Sequence, residues 1–203
     1  MATRCRAARV LAATLVAAFW PGVASAHLVT TGLGPVYDGI SHLFVSPDDL
    51  VPVLALAMLA GLNGPAAGRS ALFALTAAWL AGGVCGFVAA APSLPPASTT
   101  ASFLLLGVLT AMDRRLSPRL VAGLAALVGL LHGWLNGVGL ALAQREGLGL
   151  AGIVSATFVV VAIASALVVS LRIPWTRIAV RVAGSWVAAI GLLMLGWSLR
   201  GAM

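Results

Sequence analysis

Charge is what this chain has least of. Asp, Glu, Lys and Arg make up 8% of its 203 residues, whereas a water-soluble domain carries about a quarter. A folded surface in water is hydrated by such groups, so a chain this poor in them places most of its surface against lipid. Lysine is missing altogether, and the 12 basic residues are all arginine. They stand singly or in small groups between apolar runs, which is how orientation signals look. The formal charge of +7 is therefore no sign of a nucleic-acid partner, which needs a continuous phosphate-tracking groove. Cysteine is scarce as well. Cys5 falls in the leader described below and Cys85 in mid-helix, so no structural disulfide is expected in the mature chain. Without a CxxC motif, thiolate zinc sites and thioredoxin-like chemistry are excluded too. Nor is there a nucleotide-binding motif, or an organic cofactor to expect. The apolar runs do not alternate with polar residues, which removes a membrane β-barrel.

What the chain has is apolar residues, 61% of the total, a mean hydropathy of +1.08, and 23 glycines that let helices pack closely in a bilayer. Its first residues read as an address. Arg4, Arg6 and Arg9 precede an apolar stretch from Val10 to Trp20; Pro21-Gly22 breaks it, and Ala24-Ser25-Ala26 offers the small-x-small pattern of a cleavage site. The stretch is too short for a comfortable span. Cleavage after Ala26 is expected, the alternative being an uncleaved anchor; it would lower the formal charge from +7 to +4. His27 then becomes the first mature residue, whose α-amine and imidazole can chelate one metal ion together. An accidental histidine at a processed end is the plainer alternative.

Six apolar segments follow, at about 48–63, 69–91, 97–112, 118–143, 149–171 and 176–199. The expected fold is all-α: a polytopic membrane bundle of about six transmembrane helices, with residues 1–26 as signal peptide, 27–47 as an external segment and 48–203 as the membrane domain. With the mature N-terminus outside, Arg69, Arg114, Arg115, Arg119, Arg172, Arg177 and Arg181 fall on the cytoplasmic side and only Arg145 and Arg200 outside, as the positive-inside rule requires. The expected location is the inner membrane of a bacterium. The first span is short, contains Pro52 and opens with Ser46-Pro47-Asp48-Asp49, a helix start with Ser as N-cap, Pro at the first position and acids in the first turn. Before it, Val36–Val45 is too short to span. Val36, Ile40, Leu43 and Phe44 share one face and Asp38, Ser41 and His42 the other, which predicts an amphipathic, interfacial or re-entrant helix. Short segments interrupted by Gly or Pro often mark binding sites in transporters.

Histidines and acids are few enough for each to be weighed. Asp38 and His42 stand four residues apart and share a helical face, so they can coordinate a divalent ion together, or the carboxylate can orient the ring; a hydrated polar face is the simpler alternative. His132 sits inside a long apolar segment, where ionisable groups are costly and face a bundle interior or a wet cavity. Asn136 lies one turn on, and Gly129, Gly133 and Gly137 flank the pair and would let a neighbour approach. A structural histidine bonded between helices is the alternative. Asp48 and Asp49 are accounted for by capping, Asp113 and Glu146 as loop acids, and Trp175 and Trp197 by the interfacial belt. Met58, Met112 and Met194 form no thioether path for Cu(I).

These features resemble the HupE/UreJ family of small membrane proteins: a cleaved signal, an early Gly-x-x-His element (Gly39-Ile-Ser41-His42) and a mid-chain His132-Gly133, with Thr31–Asp38 marking a distinct branch. The resemblance implies uptake of nickel or cobalt in the service of hydrogenase or urease, with ligands at His42 and His132. The chain departs from the family where Ser41 stands in place of an Asp before the early His, and where Asn136 replaces a second mid-chain His, with no acid before Glu146.

The residues support a permease for a divalent metal as substrate, captured by His27, Asp38 and His42 and passed to His132 and Asn136, with Ser41 in support. Imidazole and oxygen donors suit Ni, Co, Zn or Cu(II). A non-transporting accessory factor with a metalloenzyme-maturation partner is one alternative. A zinc-dependent intramembrane hydrolase is another, and it requires three His on one ion.

Overall fold

The computed structural model describes residues 30–91 and 97–200, and the regular structure within them is entirely helical. The leader, its cleavage site and His27 lie outside the described residues. Seven helices follow one another: α1 (Pro35–Val45), α2 (Pro47–Leu62), α3 (Pro65–Ala89), α4 (Ala97–Met112), α5 (Pro118–Leu142), α6 (Leu148–Ser170) and α7 (Pro174–Arg200). Proline opens α1, α2, α3, α5 and α7, where its missing N–H costs nothing and its fixed φ suits the first turn.

Helices α3, α5, α6 and α7 are long and apolar enough to cross a bilayer. Helices α1 and α2 meet at Ser46 with a bend of 74° and together amount to one broken span or a re-entrant loop. Separately, α2 and α4 have 16 residues each, about 24 Å of helix against a hydrocarbon core of about 30 Å. By length, then, the described chain has four helices able to span, one bent helix pair and one short apolar helix. It is an integral membrane protein.

Its centre is α2. Val53, Ala55, Leu56, Ala57, Leu59 and Ala60 are fully buried, and the helix touches each of the other six. A helix apolar on every side belongs in the middle of a bundle. Around it the helices pair through glycine. In α5, a Cβ at Gly129, Gly133 or Gly137 would strike the backbone of α3 at Leu75, Trp79 and Gly83, while Gly82 and Gly86 of α3 give the same room to α5. The glycine stripe thus brings these two backbones into contact. Gly39 and Gly152 do likewise for α1 against α6, and Gly107 and Gly184 for α4 against α7.

The helix ends sort the arginines. Arg177 bonds Asp113 and the Leu62 carbonyl, Arg181 bonds the Ala111 carbonyl, and Arg69 and Arg172 line one cavity. Arg145 lies at the opposite end, beside Asp38.

Candidate metal-handling site

The site begins with the bend at Ser46. It turns α1 across the start of α2, so that His42, in the last turn of α1, and Asp49, in the first turn of α2, face each other. Asp49 falls on the same stripe as Pro52, Val53 and Leu56, and that stripe is buried. The carboxylate is therefore drawn into the bundle, where it must find partners. It finds them on α5: Oδ1 lies 2.8 Å from His132 Nδ1, and Oδ2 accepts from Asn136 Nδ2 at 3.0 Å. His42 Nε2 stands 3.6 Å from Oδ2. The second amide hydrogen of Asn136 goes to the His132 carbonyl at 2.8 Å. Both N–H groups being spent on acceptors, the network fixes which end of the amide is oxygen, and Oδ1 is left without a partner.

His132 is fully buried and engaged on both ring nitrogens. Nε2 meets Ser102 Oγ of α4 at 3.0 Å. The Ser102 hydroxyl also donates to the Thr99 carbonyl at 2.6 Å. Trp79 of α3 covers the imidazole face, with ring centroids 5.5 Å apart and planes at 28°. That stack depends on Gly129 and Gly133, which admit the Trp79 backbone. His132 is thus held by Asp49, Ser102 and Trp79 and orients the carboxylate. This is the outer-partner role that imidazoles and carboxylates exchange around metals.

The open side of the cluster is a cavity of about 540 Å³ whose lining includes His42, Ser46, Asp48, Asp49, Thr99 and Asn136. Its lining includes one imidazole and two carboxylates, N and O donors of the kind that suit late first-row divalent ions. Among the described residues, no three His, Cys, Asp or Glu side chains already converge as a chelate. Two of Asp49's partners hold it by hydrogen bonds, and His42 stands off. A metal would have to draw His42 and Asp49 together.

The structure separates residues that the sequence placed together. Asp38 shares a helical face with His42 but accepts from the Thr31 N–H and hydroxyl, both at 2.6 Å. It lines a second cavity, of about 420 Å³, with Gln144, Arg145 and Glu146. The acid beside His42 is Asp49. The hydroxyl near His42 is that of Ser46, not Ser41: Ser46 Oγ lies 3.3 Å from Nδ1. Ser46 is the N-cap of α2 as expected, yet its side chain makes no capping bond. Capping accordingly accounts for neither Asp49 nor the Ser46 hydroxyl. Asp113, read as a loop acid, is the bidentate partner of Arg177.

Asp49, Ser102 and Trp79 are the residues that sequence reasoning passed over. Asp49 left a signal: two adjacent acids opened an apolar helix, only one of them could face water, and Asp49 falls in register with Pro52, Val53 and Leu56. Ser102 and Trp79 left none.

A bent helix pair delivering a histidine and a carboxylate to a buried histidine within an apolar bundle defines a polytopic membrane protein with a buried polar centre. The model of the family described as HupE / UreJ protein matches residues 11–194, and the chain belongs to that family. The family is associated with nickel or cobalt transport and with urease or hydrogenase maturation. Comparison with curated proteins gave no match, and comparison with solved structures gave none.

Proposed function

We propose that the protein is a permease for a divalent transition metal, nickel or cobalt foremost, that takes its substrate from the extracytoplasmic side. The observation that carries this reading is the Asp49 carboxylate, buried in an apolar bundle beside His42 and held by His132 and Asn136. In this reading His42 and Asp49 hold the ion, water completes its shell, and His132 orients Asp49. So sparse a set binds weakly enough to release, as conduction requires. His27, at the end of a processed chain, supplies a first capture point. The arginine-rich end faces the cytoplasm by the positive-inside rule, α2 and α4 complete six crossings where the bilayer thins around them, and the membrane is the bacterial inner one.

The experiment is uptake of Ni(II) and Co(II) by proteoliposomes containing the wild type or His42→Ala. Saturable uptake that the substitution abolishes supports the reading. Binding without uptake turns it toward an accessory factor for metalloenzyme maturation.

One observation favours a second reading. Ser102, His132 and Asp49 are connected as a nucleophile, base and acid are in serine hydrolases. Against it, Ser102 is buried, its hydroxyl donates to the Thr99 carbonyl, and it is not among the residues lining the cavity. A fluorophosphonate probe that failed to label Ser102 would remove this reading.

A further inference from the structure

The two ends of α2 are built differently. One carries Asp49. At the other, the C-cap residue Asn63 accepts the Leu116 N–H on Oδ1 at 2.7 Å, and Arg177 of α7 donates from Nη2 to the Leu62 carbonyl at 3.2 Å. The same guanidinium grips Asp113, at the end of α4, through Nε at 2.7 Å and Nη2 at 2.6 Å. Asp113 has a φ of 51°, a left-handed conformation that Asp adopts more readily than most residues because its short side chain bonds locally. One arginine thus ties together the ends of α2 and α4 and the start of α7.

Between the two ends the described core is closely packed. Val53, Leu56, Leu59 and Ala60 fill the middle of α2 at zero exposure. Beyond them, at the arginine-rich end, lies a cavity of about 520 Å³ lined in part by Asn63, Asp113, Arg115 and Arg177. An ion at Asp49 reaches that cavity only if α2 shifts against its neighbours, and the bonds at Leu62 and Asn63 resist that shift. A packed core switches between discrete arrangements instead of deforming smoothly, so a tie at one end of the central helix sets the balance between them.

We propose that the Asp113–Arg177 pair is a latch at the arginine-rich end, holding α2 in the arrangement that closes the route from Asp49 to that cavity. The proposal rests on the transport reading above. It deepens that reading by identifying the contact that must open for the ion to leave. Arg177 is half exposed and Asp113 18% exposed, so water screens one side of the pair and the latch can open and reclose, as a gate must.

The test is Ni(II) flux down its gradient in proteoliposomes, measured with Ni(II) affinity for the solubilised protein. Asp113→Asn and Arg177→Lys, which loosen the bidentate grip but keep a polar contact, should raise the flux about fivefold, with affinity unchanged. The double exchange Asp113→Arg with Arg177→Asp should bring it back toward wild type. A merely structural pair, once weakened, would lower flux together with thermal stability. Flux that is unchanged or reduced in both single variants therefore overturns the latch. If the wild type binds Ni(II) but carries no flux, the transport reading falls and the latch falls with it; a transporting wild type with variants no faster leaves that reading standing and removes the latch alone.

Discussion

Asp49 Oδ1 and His132 Nδ1 meet at 2.8 Å across 83 residues of sequence, joining the broken helix pair to the glycine-rich α5. Every other feature of the site is arranged around this contact. Asn136 holds the second carboxylate oxygen, Ser102 holds the far side of the imidazole, and His42 approaches from the cavity. The contact also separates the two histidines by role. His42 is partly exposed at the cavity; His132 is buried and engaged on both ring nitrogens.

Ser102→Ala removes the hydrogen-bond partner of His132 Nε2 without opening a large void. The imidazole then loses its anchor, and Ni(II) affinity should fall about tenfold, the usual cost of losing an outer partner of a metal site. Isothermal titration with the variant checks this. An unchanged affinity would mean that the orientation of His132 does not matter to binding.

Gly133→Ala places a Cβ against the Trp79 carbonyl. The α3–α5 interface must spread to admit it, at a cost of about 1–3 kcal/mol, and the Trp79–His132 stack opens. Gly139, on the same helix, has nothing within 4 Å of a new Cβ, so Gly139→Ala should cause no loss. Thermal unfolding in detergent compares the pair, and Trp79 fluorescence should change in the first variant only.

Asn136→Ala deprives the buried Asp49 Oδ2 of its donor. Leaving that oxygen unpaired costs about 1–3 kcal/mol. Asn136→Asp should be worse, because it sets a second carboxylate against the first. Unfolding measurements that rank wild type above Asn136→Ala above Asn136→Asp would agree with the network; a neutral Asn136→Asp would contradict it.

Much of the architecture was legible because hydropathy periodicity survives any tertiary arrangement. The segments predicted at 118–143 and 149–171 differ from α5 (Pro118–Leu142) and α6 (Leu148–Ser170) by a residue at an end, and the Gly129-Gly133-Gly137 stripe pointed correctly to a close neighbour. The site was less legible, because two local rules gave answers that the fold overrides. The four-residue spacing put Asp38 with His42, but the segment before α1 folds back so that Thr31 takes the carboxylate. Capping accounted for Asp48 and Asp49 together, but the 74° bend turns Asp49 inward, and no local rule foretells a bend angle. Ser102 lies in a run of small and hydroxyl residues, Ser98 to Ser102, in which nothing marks one as the partner of a histidine 30 positions away.

The segment before the described residues has its own test. Amino-terminal sequencing of protein purified from membranes should begin at His27 if the leader is removed after Ala26. A chain beginning at Met1 would leave His27 without a free amine and withdraw it as a chelating terminus.

The measurement that bears most directly on the site is Ni(II) affinity by isothermal titration for wild type, Asp49→Asn and Asp38→Asn. Asp49→Asn keeps the shape and some of the hydrogen bonding of the carboxylate but removes its charge, so the cluster stays folded while its ligand is lost. The expected result is one ion per wild-type chain, affinity lowered more than about a hundredfold in Asp49→Asn, beyond the cost of losing an outer partner, and affinity unchanged in Asp38→Asn. Full binding by Asp49→Asn, or a loss confined to Asp38→Asn, would contradict an Asp49-centred site.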